Sequence, residues 1–360
     1  MTRPDPSRLA LPPLAGQLLT IAGAAAGGAL VNALGVPAGW LSGGMIATAL
    51  MAALRIAEPL STPFRWAAMA FSGVAIGSAV TPAMMKSVAA YPASIALMAC
   101  AVIASTWACS VILSHVRGWS RATAFFASVP GALSYVFSIA AEMEDVDLSR
   151  VAIVQVLRVF LLMGFVPLVV AESGVARGAI NYVVDPLPTL AVLLLAGVAL
   201  GALLERMRVA GGMLFGGMLA SGLAHALELA PGRPPQSVAL VAQILIGAWV
   251  GVRFIGFDWG LFGRSAVAAV GSFLVAIGIS AAFSYGAMLA LHVPFAQTLL
   301  AFSPGGLEAM TLLAFAMGLD PLFVGAHHLA RFFLISFTLP FALKMWIRGA
   351  HKHAADGKPR

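Results

Sequence analysis

The 360-residue chain is 61% hydrophobic and only 10% charged, with a mean hydropathy of +0.96. A soluble globular domain carries about a quarter charged residues, so this chain has too few to cover a water-facing surface and reads as an all-α polytopic membrane protein. The excess of 21 Lys and Arg over 14 Asp and Glu, a net +7, fits cationic cytoplasmic loops; no stretch is long and polar enough for a soluble nucleic-acid-binding domain.

In chain order, residues 1–12 form a short N-terminal segment with Arg3 and Arg8 but no brief apolar core ending in a cleavage site, so the first helix is expected to stay uncleaved. Apolar stretches then fall at about 14–34, 38–54, 64–82, 88–115, 122–141 and 150–171. After a linker at 173–186, six more fall at about 187–204, 209–228, 236–253, 265–291, 295–317 and 321–346, and a basic tail closes the chain at 347–360. Cys100 and Cys109 point to opposite faces of one stretch and read as inert packing residues. Trp66, Trp119, Trp259 and Trp346 lie near stretch ends, as interfacial belts do.

The chain matches itself. LSGGMIA at 41–47 recurs as LFGGMLA at 214–220, and SVPGALS at 128–134 as FSPGGLE at 302–308. Asp147, Gln155, Arg158 and Pro167 recur as Asp320, His328, Arg331 and Pro340. The offset is 173 or 174 throughout, which points to two tandem repeats, 13–172 and 187–346. The Gly-Gly pairs at 43–44 and 216–217 suit close helix packing.

If all twelve stretches cross, six basic residues fall outside and thirteen inside. If the fifth stretch of each repeat returns to its own side, only Lys86, Arg177 and Arg233 fall outside and sixteen inside, with Arg158 and Arg331 in the bilayer. Basic residues favour the cytoplasm. The expected arrangement is therefore two inverted-topology repeats, each with about five transmembrane helices plus one re-entrant or broken helix, both termini being cytoplasmic. Pro130-Gly131 and Pro304-Gly305-Gly306 sit near the middle of the fifth stretches, where each arm reaches only about 12–18 Å. A proline kink in a continuous helix is the other reading of these residues.

Irregular backbone at membrane depth survives where it is buried in protein or lines a cavity, and broken helices in inverted repeats aim their ends at a central site. The helix N-termini after each Pro-Gly suit an anion. Arg158 and Arg331, with Gln155 and His328 three residues earlier on the same face, make polar stripes on apolar helices. Glu308 is the acid of the second break and Ser134 its counterpart in the first. This set of residues suits a small organic anion and a coupled proton; a structural ion pair between Glu308 and an arginine is the alternative. No catalytic constellation, cofactor motif or metal-ligand spacing is present, so enzyme chemistry is not expected.

SVPGALSYVFSIAAEMEDVDLSRVAIVQVLRVFLLMGFVPLV and FSPGGLEAMTLLAFAMGLDPLFVGAHHLARFFLISFTLP resemble the bacterial membrane AbrB family, the family of the aidB regulator, with its tandem duplication. The resemblance covers nearly the whole chain and is most specific at P-G-[AG]-L and the arginine helix that follows. It implies an integral protein of the bacterial inner membrane, whose relatives are labelled regulators of gene expression or ammonia monooxygenases. Nothing in the sequence looks like a copper site. Two functions follow as expectations: secondary transport of a small organic anion, and membrane-bound regulation without transport. The partners expected are the lipid bilayer and an anionic small molecule, with no nucleic acid, and with a homo-oligomer left open.

Overall fold

The computed structural model describes residues 12–78, 91–130, 133–140, 143–172, 183–207, 209, 211–230 and 232–355; the side chains at 133–135, 138, 170–172 and from 340 onward lie outside that description. The described chain is helical. Its elements are α1 (Pro13–Ala33), α2 (Gly39–Ala53), α3 (Thr62–Gly77), α4 (Tyr91–Ser114), α5 (Arg121–Ser128), α6 (Leu133–Ala140) and α7 (Leu148–Glu172). There follow α8 (Leu187–Arg206), α9 (Gly212–Ala226), α10 (Gln236–Gly251) with a 3₁₀ turn at Val252–Phe254, α11 (Trp259–Leu291), α12 (Phe295–Phe302), α13 (Leu307–Ala316) and α14 (Pro321–Ala355). The last helix runs on to Ala355, so the region expected as a tail begins as a helical extension.

Among the described residues seven helices are long and apolar enough to cross a membrane: α1, α4, α7, α8, α10 with its 3₁₀ turn, α11 and α14. Ten crossings were expected. The shortfall lies in α2, α3 and α9, which have 15, 16 and 15 described residues, or roughly 23 Å each at 1.5 Å per residue, against a core of about 30 Å.

Glycines set how these short helices pack. A Cβ on Gly43 would lie 2.3 Å from the Gly27 oxygen, and one on Gly216 would lie 2.2 Å from the Gly201 nitrogen, so α1–α2 and α8–α9 cross backbone to backbone. The third helices reach across between the halves. Gly73 of α3 abuts Leu214 and Gly217 of α9, while Gly247 of α10 abuts Leu41 and Met45 of α2. Contacts advance in register: Gly77 meets Met218 and Ser221, and Gly251 meets Thr48 and Ala49. Thus α3 runs parallel to α9, and α10 runs parallel to α2. The link from α2 to α3 returns along α1, with Glu58 N–H donating to Thr20 Oγ1 (2.9 Å) and Ser61 N–H to Gln17 Oε1 (3.1 Å).

Among the described residues, six of the nine left-handed positions also fall in pairs. Ala38 and Gly211 precede α2 and α9, Arg55 and Glu228 follow them, and Gly118 and His292 follow α4 and α11. These pairs are separated by 173, 173 and 174 positions.

Residues 183–186, the described part of the linker, are pinned to the loop before α10. Asp185 N–H donates to Arg233 O and Arg233 N–H to Val183 O, each at 2.9 Å, and the buried Asp185 carboxylate accepts from Gly232 N–H and faces His225 Nε2 at 3.3 Å. Trp66 and Trp259 are exposed, as belt residues would be; Trp119 is instead buried beneath the Arg150 guanidinium.

Candidate functional site

The breaks follow from proline. Val129 and Ser303 precede Pro130 and Pro304, and a residue before proline is driven out of the α region. Both are extended, at φ −60°, ψ 120° and φ −61°, ψ 139°. Proline also withdraws an N–H that the next turn would need. So α5 and α12 each stop after eight residues, about 12 Å at 1.5 Å per residue, and neither can cross alone.

Each broken segment doubles back. In the first half, Ser120 Oγ donates to Asp145 O at 2.5 Å and Asp147 N–H donates to Thr123 Oγ1 at 2.9 Å, tying the start of α5 to the loop after α6. In the second, α12 runs alongside α14 in the same direction, with Leu300 opposite His328 and Ser303 opposite Arg331. The chain then reverses: Gly305 also meets Arg331, and Thr311 lies against Gly325. These are hairpins, and a kinked continuous helix would not bring those ends together.

A helix that ends in the interior leaves its last carbonyls without partners. The polar stripes supply them. In the first half, Gln155 Nε2 donates to Phe126 O (3.0 Å), and Arg158 donates to Ser128 O (3.3 Å) and to Ala127 O. In the second, His328 Nε2–H donates to Leu300 O (3.0 Å), and Arg331 donates to Ser303 O (2.6 Å) and Gly305 O (2.7 Å). The other His328 nitrogen, Nδ1, accepts from the Arg331 guanidinium, which fixes the tautomer. The three-residue spacing thus matches two successive cap positions on a helix that runs parallel to the stripe. Arg158 is thus bonded to the C-terminal end of α5, and Arg331 to that of α12 and to Gly305 just past Pro304; a helix C-terminus carries a dipole charge of about −0.5 that also answers a cation.

The expected site residues divide accordingly. Pro130, Gln155, Arg158, Pro304, Gly305, His328 and Arg331 are all buried and gathered at the two hairpins. Gly131 lies outside the described residues, as does the side chain of Ser134. Gly306 is the residue before α13, whose first turn has no side-chain cap and carries Glu308. Among the described residues no carboxylate lies within 4 Å of Arg158 or Arg331, so the ion pair that would join Glu308 to either arginine is not formed. The two guanidinium groups are close enough to repel each other, and Arg158 Nε is buried without a partner. Glu308 acts electrostatically on a third arginine, Arg253, which stacks 4.9 Å over the Trp249 ring. Sequence reasoning placed Arg253 in a loop and missed it, although Trp249 and Arg253 are four apart on one helix face.

His327 is a packing residue, enclosed by the Tyr91, Phe302 and Phe323 rings and bonded to Ser94 Oγ at 2.8 Å. Among the described residues no three His, Cys, Asp or Glu side chains converge as a metal site would require.

A family model described as "Transition state regulatory protein AbrB" matches residues 40–347, a span that holds both hairpins and both arginine helices. The chain belongs to the AbrB family. Among its relatives, the "Uncharacterized protein YhjN" of Bacillus subtilis (strain 168) is 24% identical, over 89% of this chain and 90% of its own length. The "Putative regulator AbrB" of Escherichia coli (strain K12) is 26% identical, over 90% of this chain and 94% of its own. The matched span thus runs from the start of α2 into α14.

Proposed function

We propose that the protein is a secondary transporter of a small organic anion, with its site between the two hairpin tips and with proton coupling through Glu308. One observation carries this: two buried arginines cap the two hairpins, with no carboxylate within 4 Å of either among the described residues. Taking an ion out of water costs several kcal/mol even after relaxation. The two guanidinium charges are offset by two helix C-termini of about −0.5 each, which leaves roughly one positive charge. Arg253 balances Glu308, and the uncapped N-terminus of α13 adds to the positive side. A mobile anion answers that excess.

The architecture is consistent with an inverted repeat in a bacterial inner membrane with cytoplasmic termini. The parallel pairing of α3 with α9 and of α10 with α2, the paired left-handed residues and the twin hairpins all support it. Alternating access in such folds rocks one repeat against the other around a fixed site. The test is flux of small carboxylates into vesicles holding the purified protein, with and without a pH gradient. Uptake that needs Arg331 is expected; movement of cations or neutral solutes alone would overturn the reading. A second reading, membrane-bound regulation without transport, is favoured by the family description and by the name of the Escherichia coli relative. It predicts an expression phenotype on deletion and no flux in vesicles.

A further inference from the structure

Arg253 and Glu308 differ from the buried capping arginines in making no hydrogen bond to the hairpins. Arg158 and Arg331 spend their donors on hairpin carbonyls. Arg253 and Glu308 are only part-buried, and among the described residues neither makes a hydrogen bond or an ion pair within 4 Å. They are nonetheless neighbours. The charge of Glu308 acts on Arg253, and α13, which carries Glu308, packs on α10, which leads into Arg253. The guanidinium carbon lies 4.9 Å over the centre of the Trp249 ring, a cation–π contact that uses none of its N–H donors. Glu308 projects from the first turn of α13, where no side chain caps the backbone. The result is a forked donor and a carboxylate acceptor on two packed helices, too far apart for a direct ion pair.

Such a pair has two ends of opposite character. A planar guanidinium matches a carboxylate with two parallel hydrogen bonds. A carboxylate opposite it needs a donor, either an ammonium or a hydroxyl. A ligand with only a carboxylate would satisfy Arg253 and leave Glu308 facing it with like charge. A ligand with a carboxylate and a nearby donor satisfies both.

We infer that Arg253, Glu308 and the Trp249 platform form a two-ended clamp for a small carboxylate that also carries an amino or hydroxyl group. This rests on the anion-transport reading and narrows its substrate class to acids that keep a net negative charge, namely hydroxy acids and amino dicarboxylic acids.

The test uses the full-length protein in detergent and reads its thermal unfolding midpoint. One pool holds three- to six-carbon α-hydroxy acids and α-amino dicarboxylic acids, all net anions at neutral pH; the other holds the matching unsubstituted acids. The substituted pool is expected to raise the midpoint at concentrations at least about tenfold lower, since a site with a buried polar group discriminates strongly against a ligand that leaves it unpaired. Glu308→Gln should bring the two pools together, Arg253→Gln should abolish the response to both, and Trp249→Phe should weaken both while keeping the preference. Equal responses of the unmodified protein to the two pools overturn the clamp but leave an anion site standing. No response to either pool overturns the clamp, and vesicle flux then decides the broader reading by itself. A preference that survives Glu308→Gln also overturns it. The comparison of pools on the unmodified protein holds even if a variant folds poorly.

Discussion

Arg331 donates to the carbonyl oxygen of Gly305 at 2.7 Å, holding the tip of the second hairpin from a helix that lies beside it. The same guanidinium reaches Ser303 O, and His328 completes the cap at Leu300 O. A lysine keeps the charge but loses the fork, so at least one buried carbonyl goes unpaired, at about 1–3 kcal/mol. Arg331→Lys and Arg158→Lys should therefore insert, yet melt at lower temperature than the unmodified protein in detergent. Unchanged melting in both would show that the caps are dispensable.

His328 stands where the first half has Gln155, and both donate to a hairpin carbonyl. Glutamine offers a donor and an acceptor, which are the two roles the imidazole fills. His328→Gln should stay within about 1 kcal/mol of the unmodified protein, while His328→Leu should lose roughly 1–3 kcal/mol. Equal losses in chemical unfolding would mean that packing, not bonding, is what the position requires.

The breaks and stripes were legible in the sequence because Pro-Gly in an apolar run and an arginine three residues after Gln155 or His328 are local signals. What the arginines bond to was not, because it depends on α5 and α12 lying parallel to α7 and α14, one helix further along the chain, which no local pattern encodes. Arg253 was hidden for a related reason. Charge counting assigns a residue to a loop or a span, and Arg253 sits in the 3₁₀ turn between the two. The left-handed positions were also silent, since Ala38, Arg55, Glu228 and His292 are not glycines. The Asp185–His225 contact joins a linker to a helix forty residues on, with no spacing to announce it.

Interlocking of the halves depends on bare backbone. A Cβ on Gly73 would lie 2.3 Å from Leu214 O, and one on Gly247 would lie 2.7 Å from Leu41 O. Gly73→Ala and Gly247→Ala should each cost about 1–3 kcal/mol as overpacking. Gly271→Ala and Gly278→Ala in α11, where a Cβ meets nothing within 4 Å, should cost nothing. Thermal melts of the four variants test this; equal behaviour across them would sink the glycine argument.

Topology is open to a labelling test. Arg206 and Arg264 are exposed and fall on the cytoplasmic side only if the halves are inverted. Single cysteines there, in a Cys100→Ala, Cys109→Ser background that keeps the donor to Ser272 O, should resist a membrane-impermeant thiol reagent added to intact cells. Rapid labelling at both sites would rule the inverted arrangement out.

Asp320 opens α14, accepting from Leu322 N–H at 2.9 Å and Phe323 N–H at 3.0 Å, with the Tyr91 hydroxyl at its other oxygen. Burial pushes its carboxyl above the ordinary range, and these donors offset only part of that. A carboxyl whose folded pKa is raised contributes stability that is fully present below its unfolded pKa, about 3.9, and lost as pH rises through the folded value. The ionised form is therefore the costly one. Asn is as good a helix cap and carries no charge. Asp320→Asn should then melt above the unmodified protein near neutral pH, with the gap closing as the pH falls to about 4. Asp147, its counterpart before α7, is more exposed and pairs with Arg150 at 3.3 Å, so Asp147→Asn should bring no such gain. A gap at Asp320 that is independent of pH, or of the opposite sign, would mean that its charge is not what burial penalises.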